Sequence, residues 1–173
     1  MNSEQAFSGF LDFLQCNREN PGIMADLRCA LIPGREHRAW PHIARYFSLE
    51  NMRECTIAAT VAAAFALQPE CGGEHENMGD IMRRIATGGE SGNDGLNTFA
   101  ARFQRLLACD SPDELSQQLH GIFKVAKRRG IALNHRNLAG DLTFWGDRVK
   151  RRWAEHYYSN LKKVADGEAE VHA

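Results

Sequence analysis

Eleven consecutive residues, Ile57-Ala-Ala-Thr-Val-Ala-Ala-Ala-Phe-Ala-Leu67, carry no charge and only one hydroxyl. They form the second half of a helix expected over 49–67. A helix apolar on most sides has no face to offer water and belongs in the middle of a core. The rest of the chain must therefore wrap it. At 173 residues the chain is long enough to do so, as one domain or as two small packed subdomains. No apolar run approaches the ~20 residues that a membrane span needs. The opening residues Met1-Asn-Ser-Glu-Gln-Ala-Phe7 read as a helix start, without the charged-then-apolar pattern of an export signal.

The surrounding pattern is helical throughout, which predicts an all-α fold without a β-sheet. Phe7, Phe10, Leu11 and Leu14 share one face of a helix over 5–16. A short helix over 23–31 is stopped by Pro33-Gly34, and another runs over 40–47 with Pro41 in its first turn. A polar loop spans 68–77, and a short helix spans 78–87. The stretch Gly88-Gly-Glu-Ser-Gly-Asn-Asp-Gly95 reads as the most flexible in the chain. It sets the expected division into an N-terminal subdomain (1–90), a C-terminal subdomain (95–165) and a flexible tail (166–173).

Phe99, Phe103, Leu106 and Leu107 stripe the next helix, 96–109. Ser111-Pro112-Asp113-Glu114 then signals a helix start: Ser111 as cap, Pro112 in the first position, and Glu114 completing a capping box. That helix ends at Gly130, after a last turn of Lys127-Arg128-Arg129. In the final run, from about 134, Leu138, Leu142, Trp145, Val149, Trp153, Tyr157, Leu161 and Val164 recur every three or four residues. Arg148, Arg151, Glu155 and Lys162 face the other way. Gly146 permits either one bent helix or two.

Charge is distributed unevenly. Over 122–163 there are eleven Lys and Arg against three acidic residues, whereas the whole chain sums to −1, so the remainder carries −9. A basic helix face opposite an apolar stripe suits a polyanion: guanidinium groups reach phosphates, giving salt-dependent affinity without sequence preference. Lys124, Lys127, Arg128, Arg151 and Arg152 are candidates on this pattern. Trp145, Trp153, Tyr157 and Tyr158 offer surfaces for unpaired bases, but three of them lie on the apolar stripe, and they are read as core.

The motifs that carry catalysis or metal binding are missing from the sequence. Cys71-Gly-Gly-Glu-His75 has no second Cys or His pair at the spacing structural zinc requires. His120, His135 and His156 stand alone, no nucleophile elbow is present, and Gly88 to Gly95 lacks the Gly-Lys-Ser/Thr ending of a phosphate loop. The expectation is a non-enzyme with no cofactor and no metal. Five widely spaced cysteines favour free buried thiols in a reducing cytoplasm.

Four blocks in order resemble CasB, the small subunit of the type I-E CRISPR surveillance complex Cascade. Ala25-Asp-Leu-Arg28 with Ile43-Ala-Arg-Tyr-Phe47, and Leu49-Glu-Asn-x-Arg53, resemble its early helices. Ala101-Arg-Phe-x-Arg-Leu-Leu107, followed by Glu114-Leu115 and Leu119, resembles a helix pair. The most specific block is Leu138-Ala-Gly-Asp-Leu-Thr-Phe-Trp145 with Val149 and Arg152-Trp-Ala-Glu-His-Tyr-Tyr158. Cys29 and Asp147 stand where the family often has a basic residue. The resemblance implies two helical subdomains without catalytic activity. Two copies would pack head to tail beside the other Cascade subunits, contacting the crRNA–target DNA heteroduplex and the displaced strand. It points to Arg28, Arg53, Arg102 and Arg148 as backbone contacts. The alternatives are a helical protein–protein adaptor whose basic face meets an acidic partner, and a small helical enzyme.

Overall fold

The computed structural model describes residues 3–88 and 92–159. Its centre is the alanine-rich helix α4 (Met52–Leu67), in which every residue from Ile57 to Ala66 is buried. Asn51 caps it by accepting from the Glu54 N–H at 3.3 Å. Six alanines in the buried stretch keep the helix thin, so neighbours approach closely on several sides. Ile57, Val61 and Phe65 supply the bulk, each contributing about 1.5–3 kcal/mol by leaving water.

Before it in the chain come α1 (Ser3–Cys16), α2 (Pro21–Leu27) and α3 (Trp40–Ile43), and after it α5 (Met78–Thr87). They are followed by α6 (Gly92–Ala108), α7 (Pro112–Arg128), α8 (His135–Thr143) and α9 (Asp147–Tyr157). Helix makes up 69% of the described residues, which contain no strand or sheet. Cys71 and Leu133 form an isolated bridge. None of the described helices is long and apolar enough to cross a membrane. Helix α4 packs on α7, α8 and α2, while α5 packs on α9 and α6. The helices on the two sides of 88–95 thus meet in one continuous cluster of buried side chains, from Ala6 to Tyr157.

Several local expectations change. The second helix starts two residues earlier than expected, because Asn20 caps it and Pro21 occupies its first turn, and it stops at Leu27 rather than 31. The helix expected over 40–47 closes after Ile43. Helix α6 already begins at Gly92, inside the stretch read as linker, whereas 89–91 lie outside the described residues. So do the expected tail and the positions Leu161, Lys162 and Val164.

Ser111 caps α7 as expected, but Glu114 accepts from the Asp110 N–H at 2.9 Å and closes no box on Ser111. The capping box stands instead at α5, between Asn77 and Asp80. Helix α7 ends in a Schellman motif: Gly130 adopts φ +65°, and the Ile131 N–H returns to the Ala126 carbonyl at 3.0 Å. All five thiols are free, but Cys16 and Cys71 are exposed, so burial holds for only part of the set.

Candidate nucleic-acid interface

The final basic run is two helices. Phe144 caps α8, its N–H bonding the Gly140 carbonyl at 3.0 Å, and α9 restarts when the Lys150 N–H bonds the Gly146 carbonyl at 3.0 Å. Trp145 pins the break: its indole N–H donates to the Cys109 carbonyl at 2.9 Å, and its ring packs 4.9 Å from that of Trp153. Across the break, Asp141 of α8 accepts from the Trp153 indole N–H at 2.6 Å and pairs with Arg152. Burial pushes the Asp141 carboxyl above its ordinary range, while both partners favour its charged form. The Asp and second Trp of the closing sequence block therefore form the latch between α8 and α9.

A loop completes the site. Asn137 Nδ2 donates to the Glu74 and Glu76 carbonyls at 2.7 and 2.9 Å, and Asn134 Nδ2 donates to the Gly73 carbonyl at 3.0 Å. These bonds hang the 68–77 loop on the start of α8. Between the loop, α8 and α9 lies a cleft of about 600 Å³, with Arg136, Arg148, Arg152, Phe144, His75 and His156 on its walls. Its acids are Glu74 and the latched Asp141, so three guanidinium groups leave one net positive charge before the histidines are counted. Among the described residues, Arg136 and Arg148 enter no ion pair, and both are exposed. His156 is bound to Asp80 at 2.6 Å, which joins the cleft to α5.

The structure brings only some of the sequence candidates together. Arg148 and Arg152 share the cleft, and Arg151 lies exposed three residues along α9 from Arg148. Arg53 stands at its edge: Nη2 donates to the Thr143 carbonyl at 3.0 Å, beside Phe144. Arg28 belongs elsewhere, because Nε donates to the Ala66 carbonyl at 3.0 Å. Thirteen residues of α4 separate the backbone positions of Arg53 and Ala66, about 20 Å at 1.5 Å per residue. Arg102 lies over the Phe99 ring at 5.6 Å, with Arg129 over the same ring at 5.9 Å. Lys124, Lys127 and Arg128 form an exposed strip on α7.

Sequence reasoning missed Arg136, His75 and Phe144 as cleft residues. Arg136 lies within the basic segment, but its meeting with Arg148 depends on the break at Gly146, which helical spacing leaves open.

No match to the chain was found among the curated proteins or the solved structures. The family model described as CRISPR-associated protein Cse2 matches residues 24–158, a span that contains the Asp141–Trp153 latch and all three cleft arginines. The chain belongs to that family, the small subunits of the type I-E CRISPR Cascade complex.

Proposed function

We propose that this Cascade subunit is a non-catalytic, cytoplasmic clamp. It binds nucleic-acid backbone, stabilising the crRNA–target DNA heteroduplex and the displaced strand, and acts as two copies within the complex. The observation that carries this reading is the α8–α9 cleft, where Arg136 and Arg148 stand exposed and enter no ion pair among the described residues. Planar guanidinium groups on a rigid helical frame suit phosphate oxygens. Sequence is then read by pairing with the guide RNA, so the subunit needs no base-specific contacts. Arg53 at the cleft edge and Arg151 along α9 extend the same surface. The Lys124, Lys127 and Arg128 strip, Arg102 and Arg28 provide separate backbone contacts.

The test uses assembled complex carrying Arg136→Ala and Arg148→Ala together. Both side chains are exposed, so subunit folding and assembly should survive. Each phosphate of a single strand that a cation neutralises adds about 0.7 to the slope of log affinity against log salt. Retention of target DNA should weaken, with a slope shallower by about 1.4 once both guanidinium groups are removed. Unchanged retention and slope between about 50 and 200 mM salt would remove the cleft from the binding surface.

A further inference from the structure

Among the described residues, the cleft presents one phenyl ring to solvent, on a wall that also carries the exposed His75 imidazole. Phe144 is 75% exposed and lies on the wall that carries Arg148 and Arg136. The other aromatic side chains of this segment are engaged. Trp145 is bonded to Cys109 and packed on Trp153. Trp153 is fully buried and bonded to Asp141. Tyr157 stacks on Phe103 with ring centroids 4.1 Å apart. The Tyr158 hydroxyl accepts from Gln104 at 2.8 Å, and its ring packs against Phe103 and Tyr157. A single exposed phenylalanine is ordinary. This one is held at a helix C-cap, on the wall of a cationic cleft and within four residues of Arg148, which enters no ion pair among the described residues, and that is the placement a base-stacking ring requires.

We propose that Phe144 stacks on an unpaired base whose neighbouring phosphates rest on Arg136 and Arg148, making the cleft a single-strand site. This rests on the backbone-binding reading above and narrows it. A ring can stack only on a base whose face is open, so the occupant is an unpaired stretch of strand.

The experiment titrates the full chain at low salt, up to millimolar concentration. One probe is an oligothymidylate of about eight nucleotides, within the usual span of a single-strand site. The other is an abasic oligomer of equal length with the same number of phosphates. Stacking predicts that the thymidylate binds at least about fivefold tighter. Phe144→Ala should abolish that preference and leave abasic binding unchanged, whereas Arg148→Ala should weaken both oligomers alike. Phe144→Leu, which keeps an apolar side chain but lacks a π face, should also lose the preference. Equal binding of the two oligomers by the unsubstituted chain overturns stacking and leaves phosphate binding standing. Equal weakening of both by Phe144→Ala also overturns it. Failure of both oligomers to bind overturns the stacking and the backbone reading together.

Discussion

His135 is the residue in which local chemistry most directly sets a property of the protein. It is 4% exposed, its Nε2 has no partner among the described residues, and its ring meets Phe65 edge-on at 5.1 Å. Burial lowers its pKa from 6.5 to about 4, against the pull of the Gln68 and Ala64 backbone. It is also the first residue of α8, where the helix dipole opposes a cation. Because the folded pKa is depressed, the unfolded chain binds the extra proton between pH 6.5 and 4. The stability from neutral His135 is thus complete above pH 6.5 and lost as pH falls toward 4. At 1.36 kcal/mol per pH unit, this group should cost about 2 kcal/mol between pH 7 and 5. Urea unfolding at a series of pH values, for the native chain and His135→Leu, isolates its share. The native chain should lose stability faster than the variant over that window, and parallel curves would mean that His135 titrates normally.

At the scale of elements, the pairing of α5 with α9 depends on a glycine. A Cβ built on Gly79 would lie 2.0 Å from the Trp153 carbonyl oxygen, a backbone atom that cannot swing aside. Around this contact, Arg83 Nη1 donates to the His156 carbonyl at 2.8 Å, and Asp80 holds the His156 ring. Gly79→Ala should destabilise by about 1–3 kcal/mol through overpacking, lowering Tm by several degrees. Gly121, in the middle of α7, has open space around its Cβ direction, so Gly121→Ala should raise Tm by roughly 2 °C through helix propensity. Thermal melts of the two variants check the pair, and equal shifts would show that the α5–α9 approach is not tight. These elements also show what sequence patterning can reach. The bounds of α5 and both ends of α7 follow from polar caps and a terminal glycine, which act within a few residues. Patterning leaves the α8–α9 break open, because its cause is non-local: the Trp145 indole finds a carbonyl 36 residues away in sequence. The same distance problem hides the cleft, whose walls come from a loop near residue 75 and helices beyond 134.

For the whole molecule, the question is whether the glycine-rich stretch at 88–95 separates two units that unfold independently. Such a stretch signals a boundary because glycine and polar residues bury little and resist ordering. The continuous core argues against independent halves: α4 packs on α7 and α8, and α5 on α6 and α9, so each side buries apolar surface supplied by the other. Removing one half would expose the all-apolar flank of α4, which no chain of this composition leaves in water. We therefore expect one cooperative urea transition, despite a length slightly beyond the usual two-state range of about 150 residues. The tryptophans provide the reporters, since Trp40 belongs to the first half, and Trp145 and Trp153 to the second. In Trp40→Phe, a change at a half-exposed side chain, fluorescence reports the second half alone while far-UV circular dichroism follows all helices. The two midpoints should coincide. A fluorescence transition displaced from the circular dichroism would mean that the two halves unfold separately.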